Sequence, residues 1–95
     1  MTTDDLVTRY FNRIDQAGNE ACKGMNLHNA CNEVDKAIAG ANESFSFHGG
    51  THPSEGFEDL LKKLSWASRT GETTYRHVIN YALKHIKLKL EDWKA

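Results

Sequence analysis

The stretch ETTYRHVINYALKHIKLKLEDWKA, residues 72–95, decides the fold. Tyr75, Val78, Ile79, Ala82, Leu83, Ile86, Leu90 and Trp93 recur at steps of three and four. At about 3.6 residues per turn, such steps gather side chains on one side of a helix. Tyr81 and Leu88 fall on the opposite half, beside His77 and His85. The segment HIKLKLEDW, residues 85–93, also alternates apolar and charged residues, so a terminal strand competes with helix there. The unbroken pattern upstream and the helix-forming Lys, Leu and Glu residues favour helix.

Working back from this segment, Phe57, Leu60, Leu61, Leu64 and Ala67 form the inner face of a preceding helix that begins near Pro53 and stops at Thr70-Gly71. Trp66 lies about 180° from Phe57 and points away from the expected core. The tight connection to the last helix predicts an antiparallel pair. Farther upstream, Leu27, Ala30, Cys31, Val34, Ala37, Ile38 and Ala41 line a helix over residues 26–41 whose small side chains admit a close neighbour. Leu6, Val7, Tyr10, Phe11, Ile14 and Ala17 line another over residues 3–17, with Thr2 or Thr3 as its cap, Asp4 and Asp5 in its first turn and Gly18-Asn19 at its end. Between these two helices, residues 19–26 read as a loop. From Gly40 to Thr51, Phe45 and Phe47 alternate with Ser44, Ser46 and His48 ahead of Gly49-Gly50. That period of two suits an extended crossing loop pinned by one or both phenylalanines. The expected fold is all-α: a single domain over residues 1–95, a small four-helix bundle with a long loop between helices two and three.

Composition limits what such a domain does. A chain of 95 residues holds one modest core and leaves little for a separately built catalytic cleft, so an enzyme is not expected. Lys and Arg total 12 against 13 acids, a net charge of -1, which gives no chain-wide field for nucleic acid. There is no apolar run of about 18 residues, and the opening MTTDDLVTRY is acidic and polar, so a soluble, cytoplasmic protein without membrane contact is expected. Cys22 and Cys31, nine apart, are then expected to be reduced, with Cys31 on an apolar face and Cys22 in a loop.

Motifs of chemistry are sparse. His48 and His52 are four apart but bracket Gly49-Gly50, His77 and His85 are two turns apart, and no dense ligand motif is present, so neither a metal nor any other cofactor is expected. No serine or cysteine stands beside a recognisable base, so catalytic residues are not assigned. His48, Gly49, Gly50, Thr51 and His52 could offer backbone N–H groups to a nucleotide or other anion ahead of a helix N-terminus, with Arg9, Tyr10 and Arg13 as distant contributors; a plain glycine turn is the simpler reading. Arg76, Lys84, Lys87 and Lys94 form a basic flank on the last helix that could follow phosphates, or simply be solvated. The strongest hint is surplus apolar surface: Trp66, Tyr81 and Leu88, with His85, remain after each helix fills its inner stripe. Two readings fit: an interface, with self-association as a two-fold dimer its commonest form, or a central last helix with both faces buried. The leading expectation is a non-enzymatic protein–protein interaction protein that blocks or bridges a larger macromolecule, of the accessory or inhibitor kind common in bacteria and their phages, and possible as a homo-oligomer. The alternatives are a nucleotide- or anion-binding module at Gly49-Gly50 and a nucleic-acid accessory protein using the basic flank.

Overall fold

A computed structural model describes residues 3–47 and 53–94. It contains four helices: α1 (Thr3–Cys22), α2 (Leu27–Phe47), α3 (Pro53–Ala67) and α4 (Thr73–Lys94). The expected all-α bundle is what the chain forms. Among the described residues there is no strand, and α4 runs unbroken through residues 85–93, so the helical reading of the tail holds. Its inner stripe is buried at Tyr75, Val78, Ile79, Ala82, Ile86 and Leu90, with Leu83 and Trp93 half-buried.

Two helices extend past the ends that their glycines suggest. Gly18 does not stop α1, which continues through Cys22. The reason is a ring: a Cβ at Gly18 would stand 2.7 Å from Cδ2 of Tyr75, so the absence of a side chain lets α4 press against α1. Packing of that ring outweighs the intrinsic cost of a helical glycine, about 1 kcal/mol. The true stop is Gly24, whose φ of 118° carries the chain out of the helix. Met25 N–H donates to the Glu20 carbonyl at 2.9 Å and Gly24 N–H to the Ala21 carbonyl at 3.3 Å, the paired bonds of a Schellman motif. Asn26 then caps α2, its Oδ1 accepting from the backbone N–H of His28 at 2.7 Å. The loop expected over residues 19–26 is therefore reduced to about four residues, 23–26.

The extended piece expected from Gly40 is also helical as far as Phe47. Residues two apart on a helix differ by about 200°, so one buried and one exposed phenylalanine produce the same alternation as a strand. Phe45 is 2% exposed and Phe47 is 81% exposed. Phe45 continues the stripe through Ala37 and Ala41 at steps of four, meeting Phe57 edge-on at 5.1 Å between ring centroids and Tyr10 at 6.2 Å. It rests on α3 at Gly56, where a Cβ would lie 2.8 Å from the ring. Residues 48–52, the rest of the expected crossing loop, lie outside the described residues. Leu27, placed on the inner face by its spacing, sits in the first turn of α2 and is 42% exposed.

The arrangement of the helices fixes which surfaces exist. α1 and α4 lie against each other across the middle, each also touching both other helices, while α2 and α3 meet least. Around the bundle the order is thus α1, α2, α4, α3. The α1/α3 seam and the α2/α4 seam are on opposite sides.

Two substitutions test this packing. Gly56→Ala removes a helix-breaking residue yet should destabilise the protein: overpacking against the Phe45 ring, about 2–3 kcal/mol, exceeds the propensity gain of about 1 kcal/mol. A urea melt should show a net loss of about 1–2 kcal/mol, and a gain would refute the ring-on-glycine contact. Ile86→Asp places a charge where exposure is zero and should cost more than about 4 kcal/mol, enough to abolish the cooperative far-ultraviolet transition.

Candidate functional site

Trp66, Tyr81, Leu88 and His85 do not form one patch. Trp66 stands on α3 at the α1/α3 seam, and the other three stand on α4 at the α2/α4 seam across the bundle. Each set is built differently.

On α3, Lys62 and Lys63 stand four and three residues before Trp66 and flank it on one side of the helix. They flank a depression of about 400 Å3 whose α1 wall is Phe11. Trp66 is 70% exposed, as its position opposite Phe57 predicts. Phe11, which spacing places on the inner face of α1, is at the margin of that face and only half-buried. The ammonium of Lys63 lies 6.0 Å from the centroid of the Phe11 ring, within reach of a cation–π contact. This seam therefore combines two accessible aromatic rings with two cations and no lining acid. Spacing assigns Phe11 to the core stripe and gives Lys62 and Lys63 no role; the signal for all three as a site is the position of Phe11 at the edge of its stripe and of both lysines one turn before Trp66.

On the other side, Tyr81 and Leu88 part company. Tyr81 is half-buried because α2 reaches it: its hydroxyl donates to both carboxylate oxygens of Asp35 at 3.0 Å, and its ring lies over His85 with centroids 4.2 Å apart. Leu88 remains 48% exposed. The central-helix reading therefore describes Tyr81 in part and Leu88 not at all. Burial, and then the Asp35 carboxylate through its hydrogen bond and charge, push the Tyr81 hydroxyl pKa up. Burial and the charge of Asp35 also raise the thiol of Cys31, one turn before Asp35, which disfavours the thiolate that a nucleophile needs. Ile38, Ala39, Leu88, Lys89 and Asp92 complete a depression of about 350 Å3 along this seam. Farther along α4, the indole N–H of Trp93 donates to Asn42 Oδ1 of α2 at 2.9 Å.

The remaining candidates are scattered. His48, Gly49, Gly50, Thr51 and His52, the anion-binding expectation, lie outside the described residues. Arg76, Lys84 and Lys87 are exposed, and the side chain of Lys94 is outside the described set. Arg13 lies over the Tyr10 ring at 5.8 Å within α1, while the Tyr10 hydroxyl shares a 2.6 Å hydrogen bond with Ser44 Oγ of α2. Both cysteines are free; Cys22, expected in a loop, ends α1 and is exposed, and Cys31, expected in the core, is half-buried. Among the described residues no group of three or more His, Cys, Asp or Glu side chains is placed to hold a metal ion, no polar or charged residue is buried, and no helix is long and apolar enough to cross a membrane. No protein-family model matches the chain, and neither a curated protein nor a solved structure matches it.

The most perturbed group is structural. Tyr75 of α4 is buried between Gly18 and Gly71, and its hydroxyl donates to Asp15 Oδ1 of α1 at 2.5 Å. Burial first, then the hydrogen bond to Asp15 and its charge, hold the phenol protonated well above its ordinary range. Above about pH 10 the unfolded chain releases this proton while the folded chain retains it, so stability declines as pH rises. Tyr75→Phe should cost about 1–3 kcal/mol at neutral pH through loss of a hydrogen bond to a charged group. It should also remove up to about 1.4 kcal/mol per pH unit from the alkaline decline, read as urea midpoints between about pH 8 and about pH 11. An unchanged alkaline slope would show that Tyr75 does not set it.

Proposed function

We propose that the chain is a binding protein whose working surface is the α1/α3 seam, and that its partner is a protein segment bearing apolar and acidic side chains. The observation that carries this is the exposure of Trp66 beside half-buried Phe11 and between Lys62 and Lys63. Burying an indole against a partner removes a large apolar area from water, and Trp is the residue type most often found to dominate binding energy. Two cations with no lining acid favour anionic groups at the rim, which speeds encounter and selects the partner's orientation. A groove between two helices accepts the apolar ridge of a third, the arrangement by which amphipathic helices are recognised. The chain's net charge of -1 favours a protein over a nucleic acid here, since two lysines release few counterions. Acting by occupancy, such a protein blocks or bridges what it binds.

The test is a tagged-chain capture from the cell that expresses the protein, quantified for wild type, Trp66→Ala, the double variant Lys62→Glu/Lys63→Glu, and Leu27→Ala as an exposed apolar control. Trp66→Ala should reduce recovery of the partner at least tenfold, a hot-spot loss of about 1.4 kcal/mol or more. The charge-reversed variant should reduce it further in low salt, and Leu27→Ala should leave it unchanged. Equal recovery by all four chains would remove the seam from consideration.

A further inference from the structure

The α2/α4 seam carries a charge pattern unlike that of the α1/α3 seam. Asp35, Lys89 and Asp92 all line its depression, and none of the three has an ion-pair partner among the described residues. Charges of both signs thus stand unpaired around one apolar floor of Ile38, Ala39 and Leu88. Lys89 and Asp92 are three residues apart on α4, so they sit one turn apart on the same side of the helix. Their spacing places them close enough to meet each other, yet the two are not paired within the chain.

We propose that this seam is occupied by a second copy of the chain, related by a two-fold axis passing near Leu88. A two-fold interface must be complementary to itself, and a surface with unpaired charges of both signs is the kind that can be. With the two α4 helices crossing at Leu88 so that the axis bisects the positions of Lys89 and Asp92, Lys89 of one protomer faces Asp92 of the other, and the reverse pair forms by symmetry. Leu88 then packs on Leu88 at the centre, where depletion of charge is the rule, and the ion pairs fall at the rim. Ala39 leaves room for a helix of the second copy to approach α2 closely. The Tyr81 hydrogen bonds to Asp35 hold α2 and α4 in register, so the surface is formed before association and little ordering is needed.

The size of the surface sets its strength. Two helices about 30 Å long and about 9 Å apart present a face about 20 Å wide, or about 600 Å2 per protomer. The total of about 1,200 Å2 is the lower limit for specific interfaces, so one misplaced charge is enough to separate the copies. Because the α1/α3 seam is on the opposite side of each bundle, the pair carries two outward-facing Trp66 surfaces. This bivalent display rests on the interaction reading of that seam; the pairing itself does not.

Sedimentation equilibrium across the micromolar to millimolar range tests the pairing with the purified full chain. Wild type should approach twice the monomer mass, and Trp66→Ala should do the same. Leu88→Glu, checked by circular dichroism for an intact fold, should remain monomeric at concentrations at least tenfold higher. Lys89→Asp and Asp92→Lys each place like charges in apposition and should be monomeric separately, whereas an equimolar mixture of the two variants restores both opposite pairs and should dimerise. A wild type that stays monomeric throughout, a dimer indifferent to Leu88→Glu, or a mixture that fails to associate would overturn the proposal. Loss of the dimer in Trp66→Ala alone would place the contact on the other seam, and loss of partner capture with the dimer intact would count against the Trp66 reading only.

Discussion

Aromatic rings pressed onto glycines set the spacing of this bundle. Tyr75 of α4 lies between Gly18 of α1 and Gly71 of the α3–α4 turn, Phe45 of α2 lies on Gly56 of α3, and Tyr10 of α1 faces Gly40 of α2, where a Cβ would stand 3.2 Å from the ring. At Gly18, Gly56 and Gly71 the missing side chain is what admits the ring, and at Gly40 it eases a tight approach, so large and absent side chains alternate across facing helices. The same contacts explain a core otherwise rich in alanine, with Ala17, Ala30, Ala37, Ala41 and Ala82 all buried. Where the ring fills the gap, its neighbours have to be small. Polar tips then finish the rings: Tyr75 reaches Asp15 and Tyr10 reaches Ser44, each fixing a tyrosine that burial alone would leave with an unsatisfied hydroxyl.

That constraint separates what the sequence makes legible from what it hides. The stripes of α1, α3 and α4 follow from spacing alone because each pairs one apolar face with the common core. Trp66 is legible for the same reason, being the residue its stripe excludes. Gly18 and Gly40 are not legible, because a local rule reads a glycine as a stop or a break, and only the ring of a residue distant in the chain converts it into a contact. The exact end of α2 is hidden by a coincidence of geometry: Ser44-Phe45-Ser46-Phe47 alternates equally well on a strand and across two sides of a helix. The step of four from Ala41 to Phe45 carried the deciding signal. The division between Tyr81 and Leu88 depended on how near α2 comes to α4, a tertiary distance that no single helical pattern contains.

The two seams also differ in how far the fold has committed them. At the α2/α4 seam, Tyr81, Asp35 and His85 already spend hydrogen-bonding and ring faces on one another, leaving Leu88 among charges of both signs, the carboxylates of Asp35 and Asp92 and the ammonium of Lys89. At the α1/α3 seam, Trp66 has no comparable neighbour on its outer face, and its flanking charges are of one sign. Mixed charge allows a like surface to pair opposite signs, and one-signed charge suits an unlike one. On the two proposals, this division of chemistry between opposite sides of a small bundle would give each seam a different partner without competition between them.

Opposite placement has an energetic consequence of its own. A monomer with a single exposed tryptophan gains from one desolvated anchor, and the translational and rotational cost of association offsets much of it. The pair proposed to join through α2 and α4 would hold two such anchors at a fixed separation, with no linker to order. Once the first engages a partner that repeats, the second does so intramolecularly at an effective concentration set by the rigid bundle. If the repeat does not match that separation, the gain vanishes entirely, so the geometry selects among partners as well as strengthening the contact. Under the two proposals, a weak self-contact and a single indole would together be sufficient for a selective bridge.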